Sequence, residues 1–132
     1  MRWLRALEAA AELTRASLEL RLLPSERTIA LLGPLQPSDR RDAQVGSAKV
    51  REAARVGRTV TRVAGLLPWH PTCLRQALAL QRMLRRRSIA YSLHLGVMHP
   101  SVGTAHAWVT VEDQTVVGHT GFECLVPLAA FG

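Results

Sequence analysis

The sequence is poor in cysteine and contains no long hydrophobic run. Its two cysteines, Cys73 and Cys124, are too few for a disulfide scaffold, and neither lies in the CxxC or paired-histidine spacing of a zinc site. No segment approaches the roughly 20 consecutive apolar residues of a membrane-spanning helix. Charged residues from Arg5 to Arg15 interrupt the apolar run that a signal peptide needs. We therefore expect a protein of a reducing, cytoplasmic compartment, without a disulfide framework, a metal site or a membrane span.

Aromatic residues are also scarce, at 5% of the chain. The hydrophobic core must therefore consist mainly of Leu, Val and Ala, and the tryptophans stand isolated at Trp3, Trp69 and Trp108. Hydrophobic residues nevertheless make up 48% of the chain and charged residues 20%, which is ordinary for a globular protein and excludes intrinsic disorder as the main state. A length of 132 residues predicts a single domain over residues 1–132.

Basic residues outnumber acidic ones. The chain has 17 basic and 10 acidic residues and a formal net charge of +7, and Lys49 is its single lysine. This surplus indicates an acidic partner. The candidates are a nucleic acid, an anionic lipid and an acidic peptide. No stacking-aromatic pattern or nucleic-acid motif accompanies the charge, so a nucleic acid is the least supported of these partners.

Hydrophobic periodicity predicts helices in the first two thirds of the chain and strands after Ser88. The turn-rich residues 34–47 predict a linker, and Gly57 and Gly65 each weaken the helix that contains them. Helices followed by a short antiparallel meander indicate an α+β domain. The predicted helices span residues 3–23, 25–35, 48–67 and 73–87, and the predicted strands span residues 89–97, 105–111 and 115–117.

Cys73 is a candidate nucleophile because it lies in the first turn of a predicted helix. A helix N-terminus carries partial positive charge and unpaired backbone N–H groups, which favour a thiolate and can hold a developing oxyanion. The alternative is a buried structural cysteine, as most free cysteines are. Cys124 does not lie at a predicted helix start, and we expect its side chain to have a packing role rather than a catalytic one.

His106 is the candidate partner of Cys73. Alternation along the predicted strand places His106, Trp108 and Thr110 on one face and the better core residues on the other. If the Cys73 helix packs against the sheet, His106 could face the start of that helix and form a thiolate–imidazolium pair. We expect the other histidines to be exposed or structural; they are His70, His94, His99 and His119.

Four motifs in order give the chain a resemblance to a known family. The sequence is similar to the leader peptidases of lasso-peptide biosynthesis, the microcin-processing type, most strongly over residues 66–118. The motifs are CLRQALAL at 73–80, LRRRSI at 84–89, LHLGV at 93–97 and AHAWV at 105–109.

The resemblance implies a minimal papain-related, transglutaminase-like domain in which the nucleophile helix packs on an antiparallel sheet. Residues 1–47 would form an N-terminal helical region with a linker, and residues 48–132 the catalytic core. The implied activity is a cysteine protease with Cys73 as nucleophile and His106 as general base and acid, without a metal or another cofactor. Its implied partners are the precursor's leader peptide, a small leader-recognition protein and an ATP-dependent cyclase.

The residue that orients His106 departs from the family's pattern. The family carries an Asp on the strand after the hairpin, whereas this chain has His119 at that place. If the hairpin pairs Val111 with Val116, His119 falls on the face of His106, diagonal to it. We rank His119 first and Asp113 second as the orienting group.

The missing Asp leaves a second function open, a non-catalytic subunit that binds the leader or the precursor. Under the peptidase function, arginines of the third predicted helix could guide an acidic leader or dock the recognition protein. The alternative is that they form an ordinary solvated helix face. These arginines are Arg51, Arg55, Arg58 and Arg62.

Overall fold

The computed structural model describes residues 2–24, 27, 30, 46–69, 71–98, 104–112, 114–117 and 125–131. The described residues form helices α1 (Arg2–Leu22), α2 (Ser47–Leu66) and α3 (Cys73–Arg86). The predictions of these helices are confirmed, with each end within one residue. The predicted helix at 25–35 and the linker at 34–47 lie almost entirely outside the described residues.

The strands form one antiparallel sheet. They are β1 (Ser92–Met98), β2 (Thr104–Val111), β3 (Gln114–Val117) and β4 (Leu125–Phe131), in the spatial order β3-β2-β1-β4. The first three strands confirm the predicted meander. The sequence did not predict β4, which pairs with β1 and contains Pro127. Proline interrupts a strand pattern, and it is tolerated here because β4 is an edge of the sheet.

The core lies between the helices and one face of the sheet. The odd-numbered residues Ala107, Val109 and Val111 of β2 are buried there, as alternation predicts. Helix α3 runs through the middle of this core, and residues on every side of it are buried. The α+β class and the helix-on-sheet arrangement are therefore confirmed.

Helix α3 ends in a Schellman motif, which explains why β1 begins later than predicted. Ser88 adopts a left-handed backbone conformation with a φ of 54°. The N–H of Ser88 donates to the carbonyl of Arg85 at 3.1 Å, and the N–H of Ile89 donates to the carbonyl of Leu84 at 3.0 Å. These bonds satisfy carbonyls at the helix end. Because the Ile89 N–H is used at the helix end and its side chain is buried there, Ile89 does not join strand β1.

The α1–α3 contact contains an ionic network that the sequence pattern did not predict. Arg82 lies 2.5 Å from a carboxylate oxygen of Glu19 and 3.6 Å from one of Glu12. Arg86 pairs with Glu8 and Glu12, and Arg87 pairs with Glu8 at 2.7 Å. Glu12 is only 4% exposed. The charged residues spaced along α1 therefore do not all face water, because several bind arginines of the central helix.

Glu8 gives this network a pH dependence. The hydrogen bond from the Arg87 guanidinium, with a further bond from Arg86, lowers the pKa of Glu8 despite its partial burial. Because its pKa is lower in the folded state, ionised Glu8 stabilises the fold above the unfolded-state pKa, and this contribution is lost as pH falls through the folded-state pKa. We expect Glu8→Gln to lower the free energy of unfolding at neutral pH and to matter progressively less in acid.

Urea denaturation of the wild type and Glu8→Gln across the acidic range measures this difference. Arg15→Gln is the control, because Arg15 is exposed and its loss does not touch Glu8. A difference between wild type and Glu8→Gln that stays constant as the pH falls would contradict the assignment.

Within the described part of the chain, none of the helices has both the length and the apolar character that crossing a membrane demands.

Candidate active site

Cys73 is the first residue of α3, as predicted, and its side chain is half-buried against the core. Thr72 occupies the N-cap position in an extended conformation. The Thr72 side chain makes no capping hydrogen bond. The first-turn N–H groups beside Cys73 are therefore not occupied by a Thr72 side-chain cap.

Gln76 fixes the segment that leads into Cys73. Its backbone N–H donates to the Thr72 carbonyl at 3.0 Å, which is the first turn of the helix. Its side-chain amide Nε2 donates to the carbonyl of Pro71, also at 3.0 Å. Pro71 is itself buried. Together these contacts hold the backbone on both sides of Cys73 in one conformation.

His106 lies on β2 in a stack of three rings. The Trp108 ring stacks with two imidazoles, and its centroid lies 6.1 Å from that of His106 and 5.2 Å from that of His94. The ring planes are within 19° and 12° of parallel, respectively. His94 is held in turn by a hydrogen bond of 2.8 Å between its Nε2 and the Thr110 hydroxyl. The stack restricts the plane of the His106 ring.

Helix α3 packs on strand β2, and Cys73 and His106 lie on these two elements. The C-terminal end of α3 adjoins the start of β1, where the Arg85 guanidinium lies 5.8 Å from the Tyr91 ring centroid and Ser92 pairs with Thr110. From that end, α3 extends back about 18 Å to Cys73. Strand β2, against which α3 packs, extends back about 13 Å from Thr110 to His106.

The two side chains nevertheless start from different faces of the sheet. Cys73 packs against the core cluster, which includes Ala107 and Val109 of β2. His106 is on the other face with Trp108 and His94, as the strand alternation requires. A contact between the thiol and the imidazole must therefore be made around the start of β2.

A family model of the transglutaminase-like superfamily matches residues 16–127. The chain belongs to this superfamily. The match begins within α1, ends within β4 and includes both Cys73 and His106. The transglutaminase-like superfamily includes cysteine proteases. Searches of curated proteins and of solved structures gave no significant match.

The register that placed His119 beside His106 is wrong for this transglutaminase-like chain. Val111 pairs with Gln114 rather than Val116, because a two-residue turn with a positive φ at Glu112 closes the hairpin. A bulge between Val109 and Thr110 then shifts the pairing, so that Val109 lies opposite Val117. His119 itself lies outside the described residues, as do Asp113, Cys124, His70 and His99.

Sequence reasoning missed the supporting contacts of this transglutaminase-like site. His94 was expected to be exposed or structural, and its pairing with Trp108 across the β1–β2 register was not predicted. The alternation of both strands contains this signal once their register is known. Gln76 follows Cys73 by three residues, but nothing in the sequence indicates that its amide binds Pro71.

Among the described residues of the superfamily domain, no cluster of His, Cys, Asp and Glu side chains has the arrangement of a metal site.

Proposed function

We propose that the protein is a cysteine peptidase that removes the leader from a ribosomally made lasso-peptide precursor. The superfamily supports the general class, since it includes cysteine proteases. The four ordered motifs around Cys73 and His106 support the narrower assignment, a leader peptidase of lasso-peptide biosynthesis. The position of Cys73 at the start of α3, beside first-turn N–H groups without a side-chain cap, is the observation that carries the proposal.

The chemistry proceeds through an acyl-enzyme. The Cys73 thiolate attacks the carbonyl carbon of the leader's last residue, and the first-turn N–H groups of α3 hold the oxyanion. The bond to the core peptide's first nitrogen then breaks, and His106 gives its proton to that leaving amine. Water activated by His106 attacks the thioester, which releases the leader carboxylate and restores the thiol.

His106 must reach the thiol around the start of β2, and Trp108 supports its orientation. The stacked indole restricts the imidazole plane, which is one part of what a third catalytic residue does. An indole brings no negative charge to stabilise an imidazolium. The negative charge would have to come from another group. His119 and Asp113 stay our predicted candidates for the residue that hydrogen-bonds to His106, and of these two Asp113 carries a negative charge.

The proposed setting is a cytoplasmic maturation complex. A small recognition protein would present the leader of the precursor to the peptidase, and an ATP-dependent cyclase would receive the freed core peptide. This setting follows from the resemblance of the motifs.

The test is cleavage of the cognate precursor by the purified protein together with the recognition protein, followed by mass spectrometry. We expect the wild type to release leader and core, and Cys73→Ala to release neither. Rapid quenching should reveal an enzyme species heavier by the mass of the leader acyl group. His106→Ala should reduce the cleavage rate by about two to four orders of magnitude, as loss of a general acid–base does.

Cys124→Ala is the matched control, since it removes the other thiol, and it should cleave at the wild-type rate. Cleavage by Cys73→Ala would overturn the mechanism. Binding of the precursor without cleavage by the wild type would support the non-catalytic subunit and overturn the peptidase.

A further inference from the structure

An open groove on the helical side of the molecule is distinct from the Cys73–His106 region. It lies between the N-terminal part of α1 and the C-terminal half of α2 and encloses about 720 Å³. This volume is within the roughly 300–1,000 Å³ of ligand sites. We call it the arginine groove, and its characteristic side chains are Trp3, Arg5, Arg55, Arg58, Arg62 and Leu66.

The groove is strongly basic because its lining contains four arginines and no carboxylate. Arg5 and Arg55 each approach one neighbouring carboxylate, Glu52, at 4.0 Å. Arg58 and Arg62 are exposed and form no ion pair with any other described residue. Unpaired guanidinium groups on a concave surface attract anions and offer each of them several N–H donors.

The carboxylates of α1 do not neutralise this charge, because they bind arginines of α3. Glu12 and Glu19 bind Arg82, and Glu8 binds Arg86 and Arg87 of the central helix. Acidic and basic side chains are thus matched inside the α1–α3 contact. Four arginines of the positive surplus lie at the α1–α2 groove.

Apolar side chains flank the basic stripe. Trp3 is 64% exposed and Leu66 is 80% exposed, although both are large hydrophobic residues. Arg55, Arg58 and Arg62 follow one another at three- and four-residue spacing, so they share one face of α2. From Arg55 to Leu66 the helix rises about 17 Å, which is the length of an extended peptide of about five residues.

We propose that the arginine groove binds an extended acidic peptide segment with an apolar side chain next to its carboxylates. Carboxylates spaced along an extended chain match guanidinium groups spaced along a helix, and the apolar side chain covers Trp3 or Leu66. A nucleic acid would favour several stacking aromatics along a groove, and Trp3 is the one aromatic residue among the lining side chains. For the source of the peptide, the inference rests on the proposed function: the segment belongs to the precursor that Cys73 cleaves.

Direct binding tests the groove separately from cleavage. The probes are a fluorescein-labelled peptide of alternating Glu and Leu, its Gln–Leu counterpart, and an all-Glu peptide, measured by anisotropy at low and high salt. We expect the Glu–Leu peptide to bind most tightly and to lose affinity as salt rises. Arg58→Ser/Arg62→Ser should weaken its binding about tenfold, as the loss of two exposed ion pairs predicts. Trp3→Ala should remove the preference for Glu–Leu over all-Glu.

Arg21→Ser/Arg51→Ser is the matched control. Both residues are exposed and lie outside the groove, and the change in net charge is the same. Equal weakening by the control variant would overturn the groove and leave only a general charge attraction. Tighter binding of a single-stranded oligonucleotide, or of vesicles with an anionic lipid, than of the Glu–Leu peptide would overturn the peptide as ligand.

A cleavage assay separates this inference from the proposed function. If the protein is a peptidase and the groove binds its substrate, Arg58→Ser/Arg62→Ser slows cleavage of the precursor at low substrate concentration and leaves the maximal rate unchanged. If the protein cleaves nothing but still binds the Glu–Leu peptide through the groove, the proposed function fails and the groove stands. If cleavage proceeds normally in the double variant, the groove does not serve the substrate.

Discussion

Gly57→Ala is expected to destabilise the protein by about 3 kcal/mol, at the upper end of the usual cost of overpacking. A Cβ atom at this position of α2 would lie 2.0 Å from the backbone oxygen of Val116 and 2.9 Å from its carbonyl carbon. Both atoms belong to the backbone of β3, so no side chain can rotate away. The helix and the hairpin must separate, which opens the core between α2 and β3.

The control for this prediction is Gly65→Ala on the same helix. A Cβ there meets nothing within 4 Å, so we expect alanine to stabilise the helix by about 0.5–1 kcal/mol through its better helix propensity. Urea denaturation followed by far-ultraviolet circular dichroism measures the free energy of unfolding of both variants. Thermal denaturation followed by the same signal measures their midpoint temperatures. The midpoint temperature of Gly57→Ala should fall by roughly 10 °C. Equal effects of the two substitutions would show that α2 does not pack closely on β3.

The two glycines illustrate what the sequence could and could not predict. Periodicity located α2 to within one residue, but it treated Gly57 and Gly65 alike as weak helix formers. Their difference comes from the approach of β3, a tertiary contact with a residue far along the chain. The helices and the first three strands have local signals, whereas β4 depends on pairing with β1 and contains a proline, so its local pattern indicates no strand.

The candidate site also combines features with local sequence signals and features that depend on tertiary contacts. The helix start at Cys73 and the strand position of His106 follow from local patterns, and both positions agree with the structure. The neighbours of His106 depend on the register between β2 and β3. The two-residue turn and the bulge each shift this register by a small number of residues. A shift of one residue moves a side chain to the other face of the sheet. The sequence therefore could not establish which residue lies beside His106.

The ionic contact between α1 and α3 depends equally on tertiary structure, and Arg82→Met is expected to destabilise the protein by about 2–4 kcal/mol. Arg82 is the central cation, paired with Glu12 and Glu19, and its side chain is 14% exposed. Removing it leaves Glu12 almost fully buried with Arg86 as its remaining partner. Deleting one member of a buried ion pair costs about 3–5 kcal/mol, and the second arginine reduces that cost here.

Arg15→Met is the matched control, because Arg15 pairs with the same Glu19 at 2.8 Å but is 63% exposed. An exposed pair contributes about 0–1 kcal/mol, so this variant should unfold near the wild-type denaturant concentration. In Arg82→Met/Glu12→Leu, the uncompensated buried carboxylate is gone, and we expect much of the lost stability to return. If the double variant instead loses the sum of the two single losses, the two side chains act independently. The arginines of α3 would then stabilise the helix contact through their aliphatic stems rather than through their charge.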